Sequence, residues 1–236
     1  MKKIQISVVV PALNEEESIG AVISDTLDCF ERLFLNGEII VVNDGSTDRT
    51  RLITAKYSET DNRVKLINHL TPHGIGASFM EGSARAAGEY VTMLPGDHEN
   101  IPEETLKLMK HMAGCDALVP YVENPEIRGV FRQFVSRLFT LVVNVTFLTR
   151  FRYTNGTNIY RADILNNLRI RSRGFFYQTE ILVKLHMNGA TIRQLPYRIS
   201  ERNAGDNKAI SFKSLKAVSN DFLYLLAYKY LNNRDR

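Results

Sequence analysis

Tryptophan is absent from this 236-residue sequence, cysteine occurs only twice, and no apolar run is long enough to cross a bilayer. Without tryptophan, any motif built around an indole is excluded. Cys29 and Cys115 lie far apart, with no Cys-x-x-Cys pair and no Cys/His clustering. That excludes a disulfide scaffold and a thiolate metal centre, and reads as two buried, reduced thiols in a cytosolic protein. The longest apolar candidate, LFTLVVNVTFL over residues 138–148, is bounded by Arg137 and Arg150. It falls short of the roughly 18–20 residues a spanning helix needs. The N-terminal MKKIQISVVVPALNEEE has a short apolar stretch that runs into acids with no cleavage site, so it predicts a strand rather than a leader. Internal repeats and low-complexity tracts are also missing.

What remains is ordinary globular composition, 44% hydrophobic and 24% charged. The length suits one large domain or two small ones. With no obvious linker, one domain is the economical reading, residues 1–125 forming one part and 126–236 a specialised second part. The net charge of +4 is unevenly spread. Glu15, Glu16, Glu17, Asp44 and Asp48 crowd the N-terminal half, whereas basic residues gather from Arg128 onward. A basic half with apolar stripes suits an anionic surface such as lipid headgroups or a phosphorylated acceptor. Nucleic acid fits poorly, because the aromatics are not interleaved with base-reading motifs.

Residues 5–10, QISVVV, form a β-branched run expected of a strand buried on both faces. Pro11 ends it, and Asn14 is placed to cap a helix in which Ile19, Val22, Ile23 and Leu27 recur at helical spacing. Further strands are expected at 38–42, 64–67 and 89–94, each followed by a polar or Gly-rich turn and a helical pattern. Four such repeats predict an α/β protein with a doubly wound, mostly parallel sheet. Ligands of such sheets bind beyond the carboxyl ends of the strands, where the turns 11–15, 43–48 and 95–99 fall. Downstream, a strand is expected at 117–119 and an amphipathic helix or helix pair at 131–151. A turn enters a strand at TNGTNIYR, a helix covers 176–188, a strand covers 190–199, a polar loop follows, and 212–230 closes the chain as a helix.

The series VVVPALNEEESI, VVNDGSTDRT, HGIGASFMEGSARAAGEYV and the Asp-x-Glu turn, in that order and spacing, resembles the family 2 glycosyltransferases. The resemblance implies a GT-A nucleotide-diphospho-sugar transferase fold. By it, Pro11, Ala12 and Glu15 line a nucleotide pocket and Asp44 contacts the base or ribose. A simple helix-capping role remains the alternative for Asp44 and Ser46. Gly74 and Gly76 resemble the turn that lets backbone approach the nucleotide, or are a flexible turn only. In LPGDHENIPE, Asp97 falls on the second acid of the family's Asp-x-Asp, Pro95 replaces the first, and Glu99 follows. Mg²⁺ or Mn²⁺ on a diphosphate needs only one or two protein oxygens, so Asp97 and Glu99 are the expected metal ligands and His98 a solvent-facing turn residue.

Processive relatives carry Gln-x-x-Arg-Trp, which this chain lacks. Instead RGVFRQFVSRLF resembles the acceptor region of polyprenyl-phosphate mannosyl- and glucosyltransferases. That places Arg128, Arg132 and Ser136 on the acceptor phosphate. The apolar stripe behind them fits an interfacial membrane layer or, equally, a core-facing helix. SERNAGDNK resembles an Arg-x-x-Gly-x-Ser-Lys loop, with Arg202 and Lys208 meeting the leaving group. Two segments depart from the pattern: Leu118-Val119-Pro120 stands for Gly-Ser-Arg, and Arg152-Tyr153 stands where an acid is usual. The expectation is an inverting transferase that uses a UDP- or GDP-sugar and a lipid phosphate, peripheral at the inner membrane face. The alternatives are a hydroxyl acceptor, with Glu180 as base or as a surface glutamate, and a nucleotide-sugar-binding pseudoenzyme.

Overall fold

The structure, a computed structural model, describes residues 3–124, 130–198 and 212–232, with backbone only for 130–132, 212–215 and 232. Seven strands form one sheet: β1 (Ile6–Ala12), β2 (Gly37–Asp44), β3 (Val64–His69), β4 (Tyr90–Met93), β5 (Ala117–Val122), β6 (Ile159–Arg161) and β7 (Ile192–Tyr197). Their spatial order is β3-β2-β1-β4-β6-β5-β7. β6 runs antiparallel to both neighbours, and every other pairing is parallel. This is the mostly parallel sheet that the four strand–turn–helix repeats predict.

The central strands are apolar on both faces because helices cover both sides. Ile6, Val8 and Val10 of β1 join Ile39 and Val41 of β2 on one face, under Ile19, Ile23 and Phe30 of helix α1 (Ile19–Arg32). Val9, Ile40 and Val42 face the other way, onto Phe79 of α3 (Ile75–Ala84) and Ile181 of α7 (Tyr177–Met187). A run that alternates faces every residue has no polar side to spare, hence the unbroken β-branched sequence. The remaining helices are α2 (Thr50–Thr60), α4 (Pro102–Leu106), α5 (Val130–Phe147), α6 (Ala162–Asn166) and α8 (Phe212–Asn232), with a 3-10 turn over Lys107–His111. A third, smaller cluster joins Val143 and Phe147 of α5 to Phe176, Val183 and Leu225. Cys29 and Cys115 are buried and unpaired.

Several boundaries differ from the sequence reading. Strand β1 runs through Pro11 to Ala12, with Pro11 in register with Val42, so Pro11 does not end it. Helix α1 starts at Ile19, so Asn14 does not cap it. Asn14 adopts a left-handed φ of 56° and ties the end of β1 to the next turn, accepting the Thr47 amide at 2.8 Å. β2 and β3 each run two residues further, carrying Asp44 and His69 into a paired register at the carboxyl edge. Residues 131–151 hold one helix rather than a pair.

Candidate active site

The strand order reverses at β1, which pairs with β2 on one side and β4 on the other, so a crevice opens beyond their carboxyl ends. The turn after β4 is fixed there by main-chain bonds. The Leu94 amide donates to Val9 at 3.0 Å and the Gly96 amide to Pro11 at 3.1 Å. The Ser18 hydroxyl donates to the Gly96 carbonyl at 2.7 Å. A side chain at Gly96 would meet Ala12 Cβ at 3.1 Å, so the turn is seated directly on the end of β1. The structure thus brings Pro11 and Ala12 against Gly96, the residue before Asp97. Glu15 joins them through Ser18, which contacts its carboxylate at 3.3 Å, while the Glu15 amide donates to Thr50 Oγ1.

His98 takes the left-handed φ of 59° that sharpens this turn, and its ring reaches away to Asp25 at 2.8 Å. That leaves Asp97 and Glu99, both half-buried, on either side of it. Asp97 Oδ1 accepts the Glu99 amide at 3.0 Å, which orients one carboxylate against the backbone two residues on. Two carboxylates at a strand end, with the histidine turned aside, are a hard-oxygen donor set that fits Mg²⁺ or Mn²⁺ beside a diphosphate.

Asp44 is engaged by the protein itself. It is buried at the end of β2 and accepts the His73 and Gly74 amides, both at 2.8 Å, and the His69 ring at 2.7 Å. Burial raises its pKa, but these bonds outweigh burial and hold the carboxyl below its usual value. Neither Asp44 nor Ser46 caps α2: Asp48 accepts the amide of Thr50, its first residue, at 2.9 Å, while Ser46 accepts the Asn14 amide. Asp44, His69 and His73 put one ligand atom each within 4.8 Å of one another. The two imidazoles are nonetheless stacked, centroids 4.2 Å apart, so their lone pairs run side by side rather than converging. Both His69 nitrogens also already face carboxylates. The trio is a hydrogen-bond chain.

Gly74 and Gly76 serve a close approach, but to the protein's own backbone. Gly74 has φ +100°, and a Cβ there would lie 2.5 Å from the Arg173 carbonyl oxygen. One at Gly76 would lie 2.7 Å from Ser172 O and Tyr177 Cβ. Glu180 is neither a surface residue nor free to act as a base. It is 1% exposed, bonded to Lys184 at 2.6 Å, and accepts the Arg171 and Ser172 amides. Lys184, equally buried, also donates to the Arg169 carbonyl and lies over the Tyr228 ring of α8 at 4.5 Å. Sequence reasoning missed this pair. Its only signal was an i,i+4 Glu–Lys spacing, which marks surfaces more often than cores.

On the acceptor side, Ser136 sits on α5, half-buried, and Arg132 lies one turn before it on the same helix. Arg128, Arg202 and Lys208 lie outside the described residues, as does the side chain of Arg132. Each departure from the family pattern packs on residues next to the other. The Arg152 guanidinium lies over the Tyr121 ring at 4.6 Å, and a Cβ at Gly156 would be 2.7 Å from the Pro120 carbonyl oxygen.

A mostly parallel sheet with its acidic turn at the β1/β4 switch point is the arrangement of GT-A glycosyltransferases. Glucosyl-3-phosphoglycerate synthase from Mycobacterium tuberculosis, in complex with UDP, superposes with a TM-score of 0.73 at 19% identity, covering 94% of this chain and 80% of that one. The same enzyme with Mn²⁺, UDP and glucosyl-3-phosphoglycerate gives 0.69. The profile of glycosyl transferase family 2 matches residues 7–169, and the chain belongs to that family. Undecaprenyl-phosphate 4-deoxy-4-formamido-L-arabinose transferase of Salmonella choleraesuis (strain SC-B67) is 30% identical over 208 residues, which is 86% of this chain. Its counterpart in Salmonella typhimurium matches equally. The chain spans 62% of the length of these relatives.

Proposed function

We propose that this chain moves a sugar from a nucleotide-diphosphate sugar, UDP- or GDP-linked, to the phosphate of a polyprenyl phosphate at a membrane surface. The observation that carries the reading is the extent of the likeness to undecaprenyl-phosphate transferases. It covers 86% of the chain, so it runs well past the nucleotide-binding part into the acceptor part. The chemistry is economical. A phosphate monoester is already ionised at neutral pH, so it attacks the anomeric carbon with no protein base. This agrees with a Glu180 that has no free oxygen to offer. As the new C–O bond forms, the bond to the nucleotide diphosphate breaks and its electron pair leaves with the diphosphate. Attack from the opposite face inverts the anomeric centre.

Asp97 and Glu99 would hold a divalent ion, which supplies positive charge to the departing diphosphate. Arg202 and Lys208 would add theirs from the 202–208 segment, and Arg128, Arg132 and Ser136 would grip the acceptor phosphate. Pro11, Ala12, Glu15 and the edge formed by Asp44, Gly74 and Gly76 would border the nucleotide. No helix among the described residues is long and apolar enough to cross a membrane. Contact with the bilayer would be made by α5, whose Phe134, Leu138, Leu141 and Val145 face solvent at helical spacing, and by the exposed Leu148 just past its end.

The deciding experiment incubates the purified chain with UDP- and GDP-sugars, Mn²⁺ and undecaprenyl phosphate, and follows label into the organic phase. An acid-labile lipid-linked sugar is the expected product. Nucleotide binding without transfer would mark a pseudoenzyme, and label on a hydroxyl of a glycolipid would replace the acceptor.

A further inference from the structure

His69 ends β3 with a carboxylate against each ring nitrogen: Asp44 Oδ1 at 2.7 Å on Nδ1 and Glu81 Oε2 at 2.8 Å on Nε2. A neutral imidazole has one N–H and one lone pair, so it can donate to only one of them. The other contact would set a lone pair against a carboxylate oxygen. Both contacts are satisfied only by the imidazolium, which donates twice. The surroundings agree on every side. Asp44 faces the ring from β2 and Glu81 from α3. Arg85, at the C-terminal cap of α3, holds the other Glu81 oxygen at 2.9 Å, and His73 stacks on the ring from the β3–α3 turn. Burial acts to lower the His69 pKa, but the two carboxylate bonds outweigh it and raise it above the ordinary value.

The chain of bonds leads to the nucleotide edge. Asp44, held by His69, accepts the His73 and Gly74 amides that form the turn into α3. We propose that His69 is a positioning residue for the nucleotide: its imidazolium ties Asp44 and Glu81 together, fixes the 73–74 turn, and weakens nucleotide binding when it loses its proton. On deprotonation Glu81 is released from β3, and the buried Asp44 charge keeps no cation in contact. The carboxyl edge of the sheet then becomes more negative where a diphosphate must approach. The inference rests on the reading of that edge as the nucleotide site.

Three measurements on the full chain test it. Ring nitrogen NMR should find both His69 nitrogens protonated at about pH 7.5, above the ordinary histidine value of about 6.5. A neutral ring there overturns the proposal. Calorimetric titration of UDP and GDP should show binding weaker by about tenfold at about pH 8.5 than at about pH 6.5, the ratio that one pKa unit of coupling gives. In Glu81→Gln the amide can donate to a neutral ring, so the profile should flatten to within about twofold while low-pH affinity is kept. His69→Gln should be flat and weak. Equal pH slopes in wild type and Glu81→Gln overturn the proposal. If neither nucleotide binds at any pH, the functional reading fails by itself. The His73 and Gly74 amide signals then decide: they should move with the His69 midpoint in wild type and stay still in Glu81→Gln, and signals that ignore the midpoint overturn it.

Discussion

At the scale of single residues, a side chain's role here is set by what reaches it from far along the chain. Asp97 stands at a strand end with one main-chain donor, so it is available to a ligand. Replacing it with alanine should abolish turnover, a loss of at least about a hundredfold, while nucleotide affinity measured by calorimetry stays within a few-fold. Glu180 is the opposite case. Its removal strands the buried Lys184 ammonium, and Glu180→Ala should destabilise the protein by about 3–5 kcal/mol in urea unfolding. Gly76→Ala forces a methyl within 2.7 Å of Ser172 and Tyr177, for an expected cost of about 1–3 kcal/mol by the same method. The strand-edge position of Asp97 was legible in the sequence because an apolar run ending in Pro-Gly-Asp announces a strand end. The surroundings of Asp44, Gly74 and Gly76 were not, because their partners come from His69, His73 and the remote 172–177 segment. A local pattern carries no trace of such contacts.

At the scale of elements, α5 is apolar on two sides. Phe139, Val143 and Phe147 pack toward α7 and α8, while Leu138, Leu141 and Val145 stand in solvent, as does Leu148 just past the helix end. The sequence predicted the helix but left open whether its stripe faced the core or a membrane. The structure shows two stripes, one packed on the core and one in solvent. Periodicity finds apolar positions without saying which neighbour covers them. Leu141→Asp with Val145→Asp should therefore abolish sedimentation with anionic vesicles. Because both side chains are exposed, the change in stability should remain within about 0.5 kcal/mol. Loss of folding in this variant, read by circular dichroism, would show instead that the outer stripe is covered.

For the whole molecule, two sets of charges bound the pH range of stability. Burial raises the pKa of Asp44, Asp48 and Glu38, but hydrogen bonds from their partners outweigh it and leave all three below their usual values. Their contribution is full above the unfolded carboxylate values of about 4 and is lost as pH falls through the depressed folded ones. His69 is raised, so its contribution is full below about 6.5 and is lost as pH rises through its folded value. The urea midpoint measured against pH should form a plateau that declines on both sides, and Glu81→Gln should remove most of the alkaline decline. The parallel half of the sheet was legible, because β1 to β4 follow one another with helices between them. The reversed β6 was not, since a three-residue strand gives no sign of its direction.

The placement of β6 also bears on how the protein is made. β5 is synthesised before β6, yet its sheet partners are β6 and β7. On the ribosome it must therefore wait, unpaired, while all of α5 is translated. At about 5–20 residues per second that delay lasts seconds. During it the open side of β4 and then, once made, the apolar outer stripe of α5 are accessible to other nascent chains, so the interval from β5 to β6 is where chaperone dependence and misassembly should concentrate.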